Sequence, residues 1–433
     1  MKNQKDILSK LNINALNSMQ ELALETISSS DNTILLSPTG TGKTLAFLLP
    51  ALDLLDPNNP EVQVLILVPS RELAIQIEQV LRDMGTGYKV NAIYGGRAMS
   101  KDKIELKHTP AILIGTPGRI LDHFMADRFT KDHIKTLVLD EFDKSLEVGF
   151  EEQMTEILLE LPNLKKRILT SATEGVKILK FVGMENPRRI NFLKKEIPSQ
   201  LTISTVVSKE KDKLNTLVQL LEFIGEEPGI IFCNYKDSIE SVSTFLSEQG
   251  ILHECFSGGM EQRDRERALI KFRNGSSRIL VATDLAARGI DITELKFIVH
   301  YELPHRIEEF THRNGRTARV NELGTAYVLK WEKEKLPEFI EASTPIKINP
   351  SKRLGDPFWE TLFISGGRKD KISKGDIAGL FFKQGDLNRD QLGDIELKQD
   401  CAFVAVPKGL SKELANKLSN TRLKKKKVRI TVL

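Results

Sequence analysis

The stretch Ser37-Pro-Thr-Gly-Thr-Gly-Lys-Thr44 decides the fold of the N-terminal half of the chain. It follows the apolar run Thr33-Ile-Leu-Leu36 and opens the helical pattern Thr44-Leu-Ala-Phe-Leu-Leu, which is the order strand, glycine turn, helix. In such a turn, backbone N–H groups converge on phosphate oxygens, the lysine reaches the β and γ phosphates, and the last hydroxyl binds Mg²⁺. The stretch therefore predicts a phosphate loop with the nucleotide-binding residues Ser37, Thr39, Gly40, Thr41, Gly42, Lys43 and Thr44.

An acidic pair supplies the second half of this predicted site. The apolar run Leu137-Val-Leu139 ends in Asp140-Glu-Phe-Asp143, 97 positions after Lys43. Asp140 is predicted to hold Mg²⁺, and Glu141 to orient and deprotonate the attacking water. The alternatives are a chance glycine turn, because Ser37 replaces the usual first glycine, and an exposed acidic turn. Since both features occur in one pattern of strands, the sequence favours a nucleoside triphosphatase.

Apolar strands alternate with amphipathic helices on both sides of residue 200. This alternation predicts parallel sheets that are covered on both faces, with ligands at the carboxyl ends of the strands. The predicted class is α/β: a nucleotide-binding domain over residues 1–196 and a second parallel-sheet domain over 197–342 that lacks its own phosphate loop. A proline-rich linker, 343–357, precedes a small α+β domain, 358–433, in the order β-α-β-β-α-β.

Composition narrows the class of protein further. Hydrophobic residues make up 40% and charged residues 28% of the 433 residues, as in ordinary globular proteins. The three cysteines are scattered, which disfavours a disulfide framework or a structural metal, and a reducing compartment fits. The first residues lack an apolar signal core, and no apolar run reaches the ~20 residues of a membrane span. We expect a cytoplasmic protein without a membrane partner.

The charge is distributed unevenly along the chain. Residues 358–433 contain 16 Lys and Arg against 9 Asp and Glu, a net charge of +7, whereas the rest of the chain has 47 against 50. A basic segment of this kind is typical of a nucleic-acid-binding module, and a merely soluble surface is the alternative.

The second domain contributes a group of arginines. In His312-Arg-Asn-Gly-Arg-Thr-Ala-Arg319, Arg316 and Arg319 are three residues apart, so on a helix they would share one face and reach one phosphate together. Such arginines stabilise the charge of the transition state in phosphoryl transfer. A solvated basic face is the alternative, but Thr283-Asp-Leu-Ala-Ala-Arg-Gly-Ile-Asp291 begins at a strand end of the same domain and favours the catalytic interpretation.

Between residues of about 5 and 335, the chain resembles the DEAD-box ATP-dependent RNA helicases. The resemblance is carried, in the motif order of that family, by Leu11 to Gln20, Ser37 to Thr44, Pro69 to Ala74, Gly95-Gly96, Thr116 to Arg119, Asp140 to Asp143, Ser171-Ala-Thr173, Ile230 to Asn234, Gln262 with Arg265, Thr283 to Asp291, and His312 to Arg319. It implies two RecA-like domains that bind ATP with Mg²⁺ and RNA.

The resemblance also implies roles for individual residues. Gln20 would read the adenine edge, Asp291 would contact the ribose, and Lys43, Glu141, Arg316 and Arg319 would serve the reaction. His312 would bridge to Asp143 and to Ser171 and Thr173, which would couple hydrolysis to domain closure. The positions that match contacts to the RNA sugar-phosphate backbone are Arg71, Gly96, Thr116, Arg119, Gln262, Arg265, Thr283 and Arg288.

Two positions depart from the family pattern. Phe142 replaces the alanine that gives the family its name, which adds bulk behind the predicted site. The aromatic residue that the family places before the glutamine motif has no counterpart, because residues 1–19 contain no Phe, Tyr or Trp. Adenine selectivity is therefore a weaker expectation than hydrolysis.

The tail resembles the RNA-binding domain of the DbpA group of DEAD-box proteins, notably in Thr361 to Ile372 and Lys374 to Gly379. This implies a structured or ribosomal RNA partner, possible pre-ribosomal particles, and a role in ribosome biogenesis. The candidate RNA contacts are Arg368, Lys369, Lys371 and the run Lys424 to Lys427, with a solvated charge cluster as the alternative. Phe403 is expected either in the core or on a base-stacking platform.

Three functions compete at this stage. The leading one is an ATP-dependent RNA helicase that hydrolyses ATP between its two RecA-like domains and separates short duplexes. The second is a weakly catalytic RNA clamp or annealing chaperone, and the third is a DNA-translocating helicase with the same domains. Because Lys43 and Glu141 are both present, the sequence favours the enzyme.

Overall fold

A computed structural model describes residues 4–38, 40–147, 149–173, 180–193, 201–284, 295–317, 323–341, 345–349 and 354–433. Four predicted site residues, Thr39, Arg288, Asp291 and Arg319, lie outside these ranges, as do the predicted boundaries between residues 196 and 197 and between 342 and 343. The chain divides near residue 200 into two compact units, and the second unit contains both the second α/β domain and the tail domain. Among the described helices, none combines the length and the apolar composition that a membrane crossing requires.

The first α/β domain contains seven strands and eight helices in its described residues. The strands are β1 (Asn32–Leu36), β2 (Val64–Leu67), β3 (Val90–Ile93), β4 (Ile112–Gly115), β5 (Thr136–Leu139), β6 (Lys166–Ser171) and β7 (Arg188–Asn191). The helices are α1 (Gln4–Lys10), α2 (Ser18–Ser29), α3 (Lys43–Asp53), α4 (Arg71–Met84), α5 (Met99–Leu106), α6 (Pro117–Phe124), α7 (Phe142–Glu147) and α8 (Glu151–Leu159). All strands are parallel, in the order β3-β4-β2-β5-β6-β1-β7.

Strand β2 shows why this sequence forms a sheet that is buried on both faces. Its residues Val-Leu-Ile-Leu are all buried, with Ile66 in one apolar cluster and Leu65 in the cluster on the opposite face. A parallel strand of this kind reads as a continuous apolar run because helices cover both faces. The polar residues that follow the strands are therefore collected at the carboxyl edge of the sheet, where ligands of such folds bind.

The second α/β domain repeats this plan with six strands in its described residues. They are β8 (Leu201–Ser208), β9 (Gly229–Cys233), β10 (Glu254–Phe256), β11 (Ile279–Thr283), β12 (Phe297–His300) and β13 (Gly324–Trp331). The helices are α9 (Leu214–Ile224), α10 (Lys236–Glu248), α11 (Gln262–Arg273) and α12 (Ile307–Asn314). The strands are parallel in the order β10-β11-β9-β12-β13-β8.

The tail domain has the predicted β-α-β-β-α-β order. Its main elements are β14 (Trp359–Ile364), α13 (Lys374–Lys383), β15 (Ile395–Leu397), β16 (Ala402–Pro407), α14 (Lys408–Leu418) and β19 (Ile430–Val432). A short hairpin, β17 (Arg422–Leu423) with β18 (Lys426–Lys427), precedes the last strand and was not expected from the sequence. The antiparallel order is β15-β16-β14-β19. The predicted fold class is therefore confirmed in all three domains.

The tail domain packs against the second α/β domain. Thr361 on β14 lies 2.7 Å from the Ser276 hydroxyl and accepts a hydrogen bond from the Asn274 amide at 3.3 Å. Beside it, Arg273 at the end of α11 forms a 3.1 Å ion pair with Glu396 on β15. These contacts use the sheet face opposite to the helices, because the neighbouring β14 residue Leu362 points into the apolar core.

The predicted linker also contacts the second α/β domain. Ile346, Ile348 and Leu354 pack against the apolar core of that domain, and the Ile346 N–H donates to the Thr205 carbonyl at 3.0 Å. The described part of the linker is therefore held along one domain.

Candidate nucleotide and RNA-binding sites

The phosphate loop is closed by contacts among its own residues. The Ser37 and Thr41 hydroxyls lie 2.7 Å apart, and the buried Lys43 ammonium donates to the Ser37 carbonyl at 2.6 Å. Gly42 has a φ of +86° immediately before α3 begins at Lys43. This left-handed turn directs the first N–H groups of α3 toward the loop, which is the arrangement that binds phosphate.

Gln20 is joined to the phosphate loop. Its amide donates to the Gly42 carbonyl at 3.2 Å, and a Cβ atom at Gly42 would lie only 2.4 Å from the Gln20 amide nitrogen. The side-chain oxygen Oε1 of Gln20 accepts from the Asn17 backbone N–H at 3.0 Å, while the Asn17 side chain donates to the Thr41 carbonyl at 3.1 Å. The helix cap Asn17-x-x-Gln20 thus fixes the predicted adenine-reading side chain against the loop.

The acidic pair lies at the end of β5, on the strand next to β6. Asp140 is 3% exposed and accepts hydrogen bonds from the Glu141 N–H at 3.1 Å and from the Thr170 hydroxyl. Glu141 has a φ of +48°, and its N–H also donates to the Thr170 hydroxyl at 3.2 Å. One hydroxyl on the neighbouring strand therefore contacts both the Asp140 carboxylate and the Glu141 backbone.

Burial raises the pKa of the Asp140 carboxyl, whereas the Thr170 hydrogen bond and the positive charge of Lys43 act in the opposite direction. The charge of Lys43 thus acts on Asp140 although the two residues come from different strand ends. A bound cation would favour the ionised carboxylate further.

The predicted coupling residues of the first domain lie together. The Thr173 hydroxyl donates to the Asp143 carboxylate at 3.3 Å, and the Thr173 N–H donates to the Ser171 hydroxyl at 3.0 Å. The almost fully buried Lys144 lies 3.9 Å from Asp143. The acidic motif is therefore connected to Ser171 and Thr173 within one domain.

The predicted RNA contacts of the first domain meet at the ends of β2, β3 and β4. Gly96 has a φ of +82°, and a Cβ atom there would lie 2.3 Å from the Arg71 guanidinium. Thr116 begins the turn into α6, and its N–H donates to the Ile93 carbonyl at 3.3 Å. A side chain at position 96 would displace the flexible end of Arg71 and would adopt the left-handed backbone conformation, which favours glycine there.

Arg119 belongs to a buried charge cluster beneath this surface. Its side chain is 10% exposed, donates to the Tyr94 carbonyl at 3.2 Å and lies 3.2 Å from the Asp102 carboxylate. Fully buried Asp102 also contacts Arg97 at 2.9 Å and His123 at 3.2 Å. Arg119 therefore supports the loop that carries Gly95-Gly96, in addition to its predicted contact with RNA.

The second domain has its own buried charge network at the carboxyl edge. Arg313 is 1% exposed and donates to Asp284 at 2.8 Å, to the Asn234 side chain at 2.7 Å and to the Glu302 carbonyl at 2.7 Å. Its guanidinium also lies 5.2 Å from the centre of the Phe232 ring. One arginine thus connects the ends of β9, β11 and β12.

The remaining predicted residues of the second domain lie in α11, in β11 and around the end of α12. Gln262 begins α11, Arg265 lies in the same helix with its guanidinium 4.7 Å from the Phe256 ring centre, and Thr283 ends β11. His312 is buried in the last turn of α12, which ends at Asn314. Arg316 therefore lies in the turn after the helix, and the expected sharing of a helical face with Arg319 does not apply to it.

In the tail domain, the basic run is partly neutralised. Lys424 lies 3.0 Å from Asp376 and Lys426 lies 3.1 Å from Asp370. Lys369 and Lys371 are exposed in the loop after β14, and Arg368 lies in the same loop. The exposed Lys369 and Lys371 are therefore better placed for an external anion than Lys424 and Lys426.

Phe403 is buried, which favours the expected core environment over the base-stacking platform. It lies outside the helix-facing core, whose β16 members are Ala402, Val404 and Val406. Its ring packs edge-on against Phe363 at 5.6 Å, and it is only 4% exposed.

Several connecting residues were missed by sequence reasoning: Asn17, Asp102, Thr170, Asp284, Glu302 and Arg313. Arg313 and Asp284 stand inside motifs that the sequence analysis quoted. Those motifs do not show that Arg313 is buried and paired with Asp284. Asn17 had a signal in its capping pattern. Thr170 and Asp102 had no signal in the sequence, because their partners come from other elements.

Comparisons with known proteins agree with this geometry. Residues 17–181 match the DEAD/DEAH box helicase family, residues 212–321 match the helicase conserved C-terminal domain, and residues 361–432 match the DbpA RNA binding domain. The chain is 31% identical to the ATP-dependent RNA helicase DbpA of Bacillus subtilis, over 91% of this chain and 90% of that protein. It is also 31% identical to DbpA of Escherichia coli, over 98% and 96% of the two chains.

A solved structure shares the fold of the helicase part. S. cerevisiae Dbp5 bound to RNA and ADP BeF3 superposes with a TM-score of 0.67 at 28% identity, covering 76% of this chain and 88% of that chain. The similarity to DbpA proteins thus extends along nearly the whole chain, and it includes the phosphate loop, the acidic pair and the tail domain. The chain belongs to the DEAD-box ATP-dependent RNA helicases, which are RNA-dependent ATPases, and within them it is of the DbpA type.

Proposed function

We propose that this helicase remodels structured RNA, with a segment of ribosomal RNA as its substrate during ribosome biogenesis in the cytoplasm. The observation that carries the proposal is the tail domain, which matches the DbpA RNA binding domain and presents Lys369 and Lys371 on an exposed loop. The predicted contacts of the helicase domains go to the RNA backbone, which does not distinguish sequences. Choice of target is therefore assigned to the tail.

The residues at the carboxyl edge of the first domain fit ATP with Mg²⁺. Asp140 and Thr44 offer a carboxylate and a hydroxyl, which are oxygen ligands of the kind that Mg²⁺ prefers, and the phosphates supply further oxygens. Lys43 would balance the charge of the β and γ phosphates. Bound Mg²⁺ would supply neutralisation of the phosphate charge, and Glu141 would accept the proton of the attacking water.

Hydrolysis is proposed to take place between the two α/β domains. Arg316 and Arg319 would approach the phosphates only when the domains close, and Asp291 would contact the ribose. His312 would meet Asp143, Ser171 and Thr173, whose hydrogen bonds within the first domain support this role. Closure of the two domains would thereby depend on both ATP and RNA.

RNA would follow the edge formed by the predicted contacts. In the first domain, the proximity of Arg71 to Gly96 supports one continuous surface. In the second domain, Gln262, Arg265, Thr283 and Arg288 would hold the strand. Arg368, Lys369 and Lys371 of the tail would hold a structured segment of the same RNA.

The test is the ATPase rate with several nucleic acids at equal length: a hairpin fragment of large-subunit ribosomal RNA, an unrelated hairpin, unstructured RNA and single-stranded DNA. We expect stimulation by all RNAs, half-maximal at the lowest concentration for the ribosomal fragment, and little stimulation by DNA. Equal half-maximal concentrations for the two hairpins would contradict the proposed substrate. RNA binding without turnover would indicate the clamp function instead, and Glu141→Gln provides the reference for absent turnover.

A further inference from the structure

We propose that Thr170 is a positioning residue of the ATPase reaction, because its hydroxyl holds both Asp140 and Glu141 in their working conformations. The inference rests on the roles proposed above for these two acidic residues. Thr170 is fully buried near the end of β6, one residue before Ser171.

The parallel register of β5 and β6 places Thr170 beside the acidic pair. Leu139 is opposite Leu169, so the next residue on each strand continues the same alignment. Asp140 still donates its N–H to the Leu67 carbonyl on β2 at 3.0 Å, on the other side of β5. The backbone leaves the sheet only at Glu141, and Thr170 stands at that point.

One hydroxyl serves two partners at this point. The Thr170 O–H donates to Oδ1 of Asp140, and the Thr170 oxygen accepts from the Glu141 N–H at 3.2 Å. The same Glu141 N–H reaches Oδ1 of Asp140 at 3.1 Å. The three groups form a closed ring of hydrogen bonds, which sets the rotation of the Asp140 carboxylate.

The backbone of Glu141 requires such support. Its φ of +48° lies in the left-handed region, which is unfavourable for a residue with a Cβ atom. This conformation turns the chain from β5 into α7 at Glu141. Strained residues persist only where their surroundings hold them, and the Thr170 hydroxyl is part of that support.

Thr170→Val tests the proposal, because valine keeps the branched shape and loses both hydrogen bonds. Thr170→Ser keeps the hydroxyl. Thr33→Val is the matched control: Thr33 is fully buried on β1, the other neighbour of β6, and its hydroxyl finds no hydrogen-bond partner among the described residues. We would measure kcat and KM for ATP at saturating RNA, the melting temperature, and the Mg²⁺ dependence of binding of a non-hydrolysable ATP analogue by calorimetry.

The expected result is a fall in kcat and a rise in the half-saturating Mg²⁺ concentration for Thr170→Val, each of about 10–100-fold, as for other groups that orient a metal ligand. Thr170→Ser should restore both quantities to near the parent values, and Thr33→Val should change neither.

The proposal is overturned if Thr170→Val matches Thr33→Val in kcat and Mg²⁺ dependence, or if Thr170→Ser fails to restore them. Failure of the underlying function looks different, because Glu141→Gln would then retain the parent turnover. If Thr170→Val proves unstable, Thr170→Ala replaces it, because alanine and serine at this position differ only by the hydroxyl. Equal kcat and equal Mg²⁺ dependence in Thr170→Ala and Thr170→Ser would overturn the proposal.

Discussion

The two α/β domains share one plan but use buried charge differently at the carboxyl edges of their sheets. In the first domain, the buried charged groups Lys43 and Asp140 are the predicted reactive groups, and they are held by hydroxyl and carbonyl contacts. In the second domain, the most buried charge, Arg313, joins Asp284, Asn234 and the Glu302 carbonyl. The first edge is thus proposed to keep its buried charges for a ligand, whereas the second edge uses the charge of Arg313 to join three strand ends.

This difference shows that a motif arginine is not by itself a catalytic arginine. Arg313 and Arg316 belong to one short segment, yet the structure assigns Arg313 to the internal network of the domain. Burying a charge is unfavourable unless it is paired and hydrogen-bonded, so an arginine with four internal partners is committed to structure. Arg316 is also buried, at 6% exposed, so its proposed action on phosphate rests on the family motif and not on its exposure.

The largest expected effect is at the first edge. Glu141→Gln should lower RNA-stimulated turnover by at least about 10²–10⁴-fold, because the amide keeps the shape of the side chain and cannot accept a proton. ATP and RNA affinities, measured by calorimetry and fluorescence anisotropy, should stay close to those of the parent. Turnover similar to that of the parent would show that Glu141 is not the catalytic base. The proposed difference between the two edges would then be wrong.

At the second edge, loss of the network should appear first as instability. Arg313→Ala leaves the Asp284 carboxylate, whose side chain is 18% exposed, without its partner arginine. We expect the free energy of unfolding of this domain to fall by about 3 kcal/mol, the lower end of the range for a broken buried pair, because water can still reach Asp284. Amide hydrogen exchange of β9, β11 and β12 at increasing urea concentrations measures this free energy of unfolding. Arg306→Ala is the control, since Arg306 is exposed near the same helix and an exposed pair contributes only about 0–1 kcal/mol. Equal protection in both variants would show that the network does not stabilise the domain.

A smaller effect concerns His300, which is fully buried on β12 with its Nε2 3.0 Å from the Asn314 side chain. Burial, together with the nearby charge of Arg313, lowers the pKa of His300 to about 3. Below pH ~6.5 the unfolded histidine binds a proton and the folded one does not, so stability falls as the pH falls toward 3. The loss is about 1.4 kcal/mol for each pH unit below 6.5.

Urea unfolding at pH 7.5 and 5.5 measures this term. His300→Gln should lose about 1.4 kcal/mol less than the parent between the two values. His305→Gln, a change at an exposed histidine of the same domain, should behave as the parent does. Identical pH dependence in all three proteins would show that His300 contributes no linked proton.

The smallest expected effect lies in the tail. Lys369→Gln combined with Lys371→Gln should reduce the salt dependence of RNA binding, with a slope that falls by about 0.7–0.9 for each lost phosphate contact. The ATPase rate at saturating RNA should remain unchanged. Lys424→Gln combined with Lys426→Gln is the matched control, because these lysines are already paired with Asp376 and Asp370. A larger change in the control pair would place the RNA surface on the hairpin.

Local signals predicted much of the fold and of the nucleotide site. The phosphate loop depends on residues within eight positions of one another, and its turn at Gly42 adopts the left-handed conformation that glycine favours. The strand that ends at Asp140 was recognisable from its apolar run, and the order of the tail elements from their alternation. In each case the physical determinant is contained in a short stretch of chain.

Three other features required contacts between distant elements. The link between Thr170 and Asp140 spans 30 positions, that between Arg313 and Asn234 spans 79, and that between Thr361 and Ser276 spans 85. No pattern in either member of such a pair identifies the other, because the pairing follows from strand order and register.

The sequence by itself determined that this chain has two parallel-sheet domains, a phosphate loop, an acidic pair at a strand end and a basic third domain, because periodicity, glycine turns and charge act locally. Only the tertiary structure decided which charged residues form ion pairs within the protein, where α12 ends relative to Arg316, and which sheet face of the tail contacts the second domain. The physical reason is that burial and hydrogen bonding are properties of packed neighbours, and the neighbours come from different parts of the chain.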